Sequence, residues 1–123
     1  MGVWIRRNWM TLGAMSGFVA VAVGAFAAHG ADPQAAELLR TGSAYGFMHT
    51  MATFASATFM QVGARRARFA PAFFLSGVLL FSGSLYALAA GAPRWIGMIT
   101  PIGGLSFLTG WAVLAWAARG VDP

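Results

Sequence analysis

Charged positions are sparse along this chain, and the gaps between them set the architecture. Four stretches free of Asp, Glu, Lys and Arg, 8–31, 41–64, 69–93 and 95–118, hold 24, 24, 25 and 24 residues. A hydrocarbon core of about 30 Å is crossed by about 20 residues of helix at about 1.5 Å per residue. None of the stretches carries the polar stripe of a water-facing bundle helix, and none shows the short alternation of a barrel strand. The pattern predicts an all-α fold, an integral membrane four-helix bundle in a single domain over 1–123, with spans at about 9–28, 44–63, 69–90 and 97–118. Pro71 and Pro101 fall in the first turns of the third and fourth spans, where a missing N–H is harmless. Asp32-Pro33 reads as an N-cap and first turn. It would open a short interfacial segment, 34–40, with Gly42 and Ser43 permitting a bend before the second span.

Composition strengthens the membrane reading. The chain is 59% hydrophobic and 9% charged, against roughly 25% charged residues in a soluble domain. Its net charge of +5 comes from eight basic residues, all Arg. They punctuate apolar runs without forming a basic face, and no basic and aromatic interleaving of the kind single-strand binders use is present, so no nucleic-acid partner is expected. With no cysteine, thiolate metal sites, iron–sulfur clusters and cysteine nucleophiles drop out.

The arginines also predict orientation. With four spans, Arg6, Arg7, Arg65, Arg66, Arg68 and Arg119 share one side. Arg40 and Arg94 lie on the other, together with Asp32 and Glu37. The positive-inside rule then puts both termini in the cytoplasm of a bacterial plasma (inner) membrane. Trp4, Trp9, Trp95, Trp111 and Trp116 are expected mostly as interface anchors near span ends. The opening IRRNWM with its apolar run resembles a secretory signal, but the run exceeds an h-region of roughly 7–15 residues, so a retained first helix is expected.

Helices in lipid are held by close backbone approach and hydrogen bonds. Gly13, Gly17, Ala20 and Gly24 share one face of the first span. Gly83 in the third and Gly103, Gly104 and Gly110 in the fourth are further expected packing positions, within the bundle or towards an oligomeric partner.

Candidate chemistry gathers in one half of the membrane. Tyr45, His49 and Thr53 follow i, i+4 spacing within the second span, and an unbroken helix would add Glu37 and Thr41 to the stripe. His29 ends the first span on the same side. Ser82, Ser84 and Tyr86 of the third span and Thr100 of the fourth are expected at the same depth. Three readings follow: side chains that satisfy one another and fix the bundle; a binding or proton-relay site; or haem or metal ligation by His29 and His49. The 20-residue separation of the histidines is not a metal-binding spacing, and no cofactor is expected. No G-x-S-x-G elbow supports a hydrolase, and Gly103-Gly104-Leu105 lacks the lysine of a phosphate loop.

Four ordered motifs carry a family resemblance: GAFAAHG (24–30), YGFMH (45–49), FSGSLY (81–86) and TPIGGLSFLTGW (100–111). Over nearly its whole length the chain resembles the small bacterial membrane family called domain of unknown function 423, which has a short mitochondrial-type relative in animals. The resemblance implies a four-helix membrane protein and no particular activity. The family's recurring positions fall on Gly24, His29, Tyr45, His49, Ser82, Gly83, Ser84, Tyr86, Pro101, Gly103, Gly104, Gly110 and Trp111. Gly46 stands where relatives commonly carry Gln.

Four short helices with small loops leave little room for a private substrate cavity. The expected role is therefore non-enzymatic: an accessory or structural subunit of a membrane assembly, or a homo-oligomer. The alternative is a small transporter, channel or sensor that uses the polar cluster.

Overall fold

The computed structural model describes residues 5–123, so Trp4 lies outside the described residues. Four helical runs are joined by short turns. The first is α1 (Arg6–His29) and the second α2 (Pro33–Gln61). The third comprises a 3-10 turn (Arg65–Phe69), α3 (Ala70–Gly77), a π-helical turn (Val78–Ser82) and α4 (Gly83–Ala89). The fourth comprises a 3-10 turn (Arg94–Met98) and α5 (Thr100–Ala118).

Local chemistry sets the ends of these runs. Asp32 Oδ1 accepts the Ala35 N–H at 3.0 Å, and Pro33 follows at the first turn of α2. Pro71 and Pro101 occupy the first turns of α3 and α5. Gly63 and Gly91 stop α2 and α4 with φ of 101° and 98°, a conformation costly to residues with a Cβ. After each, the next N–H turns back onto the last helical turn, Ala64 to the Phe59 carbonyl and Ala92 to the Ala87 carbonyl, both at 2.9 Å. This is the Schellman closure.

One expectation is corrected here. α2 does not bend at Gly42. It runs unbroken from Pro33, so the interfacial segment 34–40 is the first part of the second helix. Gly42 is a contact, because a Cβ there would lie 2.6 Å from the Tyr86 ring.

Arg6–His29, Arg65–Ala89 and Arg94–Ala118 are each long and apolar enough to cross a membrane, with mean hydropathy 1.8, 1.8 and 1.5. α2 is longer but more polar, and its position explains why. It packs against both α1 and the third run. The buried polar side chains His49, Thr50, Thr53 and Ser56 all belong to it, joined by Ser82 and Ser84. Its polar groups meet other helices, where hydrogen bonds satisfy them.

Two antiparallel seams hold the bundle. Along α1 and α2, Gly24 faces Ser43, Gly17 faces Thr50 and Gly13 faces Phe54. Ser43 donates to the Ala20 carbonyl at 2.5 Å and Thr50 Oγ1 to Ser16 Oγ at 2.9 Å. Between the third run and α5 the approach is closer. A Cβ on Gly77 would lie 2.4 Å from the Phe107 ring, one on Gly110 2.5 Å from the Phe74 ring, and one on Gly103 2.4 Å from the Phe81 backbone nitrogen. Gly83 and Gly104 take no part in this packing, since a Cβ on either meets nothing within 4 Å.

The antiparallel order collects Arg6, Arg7, Arg65, Arg66, Arg68 and Arg119 at one end of the bundle and His29, Asp32, Glu37 and Arg94 towards the other. At the arginine end a core of Ala52, Ala64, Ala67, Ala70, Phe74, Leu114 and Ala117 closes the seam. Trp9 is 3% exposed, a packed residue of α1 where an interface anchor was expected.

Candidate functional site

α2 carries the polar groups inward by local hydrogen bonding. Thr41 Oγ1 donates to the Glu37 carbonyl at 3.1 Å and Thr53 Oγ1 to the His49 carbonyl at 2.8 Å. Ser56 Oγ donates to the Ala52 carbonyl at 3.0 Å. Each hydroxyl is returned to its own helix, four residues back. Glu37, Thr41 and Tyr45 are exposed, whereas His49 and Thr53 are buried. The i, i+4 stripe therefore starts at the surface and ends in the interior.

His49 is the centre of the buried half. Its Nδ1 lies 2.7 Å from the Tyr45 carbonyl oxygen. Trp111 Nε1 donates to its Nε2 at 3.0 Å. An indole N–H only donates, so Nε2 is the acceptor and the ring proton sits on Nδ1, directed at the Tyr45 carbonyl. The ring stacks on Phe107 at 3.6 Å and 6°, with Phe74 at 5.9 Å and Tyr45 at 6.2 Å. Phe81 joins Tyr45 to Phe107, at 4.9 and 5.4 Å. The result is an imidazole wedged among aromatic rings from three runs, with both nitrogens engaged.

The other expected residues form two separate groups. Ser82 Oγ donates to the Gly42 carbonyl at 2.6 Å, beside the half-buried Tyr86 ring that covers Gly42. Ser84 Oγ donates to the Phe81 carbonyl at 2.9 Å and lies 2.5 Å from Thr100 Oγ1, tying α4 to the start of α5. His29 is exposed in the last turn of α1. From Pro33 to His49, α2 rises about 24 Å, so His29, at the end of α1, does not share the depth of His49, contrary to the expectation from the sequence. A ring with its Nε2 lone pair taken and its Nδ1 protonated offers no lone pair to iron or zinc. Among the described residues no group of three or more His, Cys, Asp or Glu is placed to hold a metal.

Sequence reasoning missed Trp111, Phe107 and Phe74, the partners that define the site. Trp111 was expected at the interface; its indole instead turns onto His49. Gly42 and Gly46 were also missed as contacts. A Cβ on Gly46 would lie 3.0 Å from Ser82 Oγ. Two small residues at i, i+4 facing the third run were the available signal.

Comparison with known proteins agrees with this architecture. The model of the family described as "Protein of unknown function (DUF423)" matches residues 23–104. A UPF0382 membrane protein of Haemophilus influenzae is 45% identical over 118 residues, covering 93% of this chain and 95% of that protein. The UPF0382 inner membrane protein YgdD of Escherichia coli K12 is 40% identical over 116 residues, covering 88% and 86%. The UPF0382 membrane protein YwdK of Bacillus subtilis is 33% identical over 118 residues, covering 91% and 96%. No solved structure matches. These relatives, with the apolar helices, make the chain a small multi-pass protein of the bacterial plasma (inner) membrane, and it belongs to the DUF423 family.

Proposed function

We infer that the protein works without catalysis, as a small accessory or structural subunit of a membrane assembly or as a homo-oligomer. One observation carries this reading. Among the described residues, no buried side-chain nitrogen or oxygen lacks a hydrogen-bond partner. A transport or relay site turns its polar groups towards the bundle interior or a water-filled cavity along a pathway. Here the polar groups are used within the fold: His49 between Trp111 and Tyr45, Ser82 on Gly42, Ser84 with Thr100. The His49 centre acts as a lock between α2, the third run and α5. The apolar outer faces of α1 and α5, with Phe18, Val21, Leu105 and Leu108 more than half exposed, supply surface for lipid and for neighbouring membrane subunits. The arginine end faces the cytoplasm, by the positive-inside rule.

The test is recovery from native membranes at endogenous level. Mild solubilisation with chemical cross-linking and native mass spectrometry should yield a stoichiometric partner or a defined homo-oligomer. Consistent recovery as a lone chain refutes the accessory role, and ion or proton flux in liposomes that His49→Ala abolishes without loss of fold would assign transport instead. Single cysteines at Gln34 and Arg65, both exposed, report orientation: a membrane-impermeant reagent applied outside should label 34 and not 65.

A further inference from the structure

An apolar opening lies away from the His49 centre. Between α1 and the third run is a lateral groove of about 550 Å³. Leu12 and Met15 form one wall, Leu75, Val78 and Leu79 the other, and Gly46 of α2 lies at the floor. It exists because α1 packs chiefly on α2 and makes little contact with the third run. The π-helical turn forms part of the far wall, and π turns are frequent at functional sites. That wall extends from Ala72 to Tyr86, about 21 Å of helix rise, longer than one leaflet of a roughly 30 Å core.

Gly83 lines this groove, and a Cβ on it meets nothing within 4 Å. The glycine the sequence marks for helix packing keeps the groove open instead.

The end of the groove at Leu12 and Ala72 leads to the arginine end of the bundle. Arg6 and Arg7 begin α1, and Arg65 and Arg68 lie in the 3-10 turn before α3. All four are exposed. Arg68 precedes Ala72 by about 6 Å of helix rise. Among the described carboxylates, Asp32 and Glu37 lie towards the opposite end and only Asp122 shares this one. A narrow apolar slot that ends at a basic rim matches the two halves of an anionic lipid. A basic surface between membrane helices binds such headgroups by charge. A transmembrane helix fits less well. A 21 Å length of helix about 10 Å across fills roughly 1,600 Å³, so it would rest on this groove without entering it.

The geometry points to a binding site for an anionic phospholipid, with one acyl chain in the groove between α1 and the third run and its phosphate among Arg6, Arg7, Arg65 and Arg68. The site is independent of the His49 centre and of the accessory role.

Native mass spectrometry of the full chain, with phosphatidylglycerol or phosphatidylcholine of identical acyl chains added, tests this. The expected result is one phosphatidylglycerol retained per chain, on the order of tenfold preferred over phosphatidylcholine. Gly83→Phe fills the groove from the third run and should abolish retention at unchanged circular dichroism and unfolding midpoint. Met15→Trp narrows it from α1, an exposed position, and gives a second reading if Gly83→Phe does not fold. The quadruple change R6Q/R7Q/R65Q/R68Q should erase the headgroup preference while chain occupancy persists. Equal binding of the two lipids by the wild type overturns the proposal, as does full phosphatidylglycerol retention by a folded groove-filling variant. A lipid-free dimer that Gly83→Phe splits overturns it as well and assigns the groove to a second copy.

Discussion

Gly103 and Gly104 are adjacent in sequence and opposite in environment, so substituting each by Ala isolates what holds α5 to the third run. A Cβ on Gly103 would lie 2.4 Å from the Phe81 backbone nitrogen and 2.8 Å from its Cα. Backbone cannot swing aside as a side chain does. Ordinary contact starts near 3.4 Å, so the two runs must separate by about 1 Å locally. That separation pulls on the Ser106 Oγ donation to the Phe73 carbonyl, now at 2.7 Å, and on the Ser84–Thr100 contact. Overpacking of this kind costs about 1–3 kcal/mol, offset by up to about 1 kcal/mol of helix propensity gained from Gly to Ala. Gly103→Ala should therefore lose about 1–2 kcal/mol. Gly104→Ala meets nothing within 4 Å and keeps only the propensity gain, so it should be neutral or stabilising by up to about 1 kcal/mol. The two variants differ by about 2 kcal/mol, roughly thirty-fold in the folding equilibrium. Reversible unfolding by dodecyl sulfate in mixed micelles, followed by circular dichroism, measures it. If Gly103→Ala is as stable as Gly104→Ala, the close approach of α5 to Phe81 is wrong.

Trp111→Phe leaves His49 Nε2 without its donor. A double-mutant cycle with His49→Phe should give a coupling of about 0.6–1.7 kcal/mol, and zero coupling would remove the lock. Gly91→Ala places a Cβ at φ 98° and should cost about 1–2 kcal/mol in the same unfolding assay; no loss would mean the turn adopts another conformation. Arg66 donates to the Trp116 carbonyl at 3.0 Å and sits 4.6 Å over the Trp116 ring. Arg66→Gln should therefore lower stability by roughly 0.5–1 kcal/mol, and Arg65→Gln, with no such contact to α5, should leave it unchanged.

The helical runs were legible because charge cannot be placed freely in lipid, so the long charge-free stretches mark the spans, although Glu37 and Arg40 interrupt the pattern without interrupting α2. Asp32-Pro33 announced the start of α2 for an equally local reason: cap and proline act within one turn. Gly42 misled because a glycine in a helix has two meanings. It can release the backbone or admit a neighbour, and only the Tyr86 ring, 44 positions away in sequence, decides between them. Gly83 is the converse case: the seam to α5 within the chain runs through Gly77, Phe81 and Ser84, leaving Gly83 towards the groove. The π turn left no sequence signature, because each of its residues is also an ordinary helix former or lipid-facing apolar group.

The candidate site was half legible for a related physical reason. In water a helix buries its apolar face. In lipid apolar residues can face either way, and polarity marks what faces inward. That rule agrees with the burial of His49, Thr53, Ser82 and Ser84, though not with the exposed Tyr45, and it also accounts for α2 being the more polar helix of a membrane bundle. It cannot locate their apolar partners. Phe107 and Phe74 are chemically indistinguishable from the lipid-facing phenylalanines around them, and they became part of the site only when the close approach at Gly77 and Gly110 brought α5 against the third run. Trp111 follows from the same contact: one helical turn beyond Phe107, it is carried to the depth of His49 and donates there instead of to the interface. The glycines of the α5 seam thus position the histidine's partners as well as the helices, and loosening the seam at Gly110 should weaken the Trp111–His49 hydrogen bond before it unfolds the bundle.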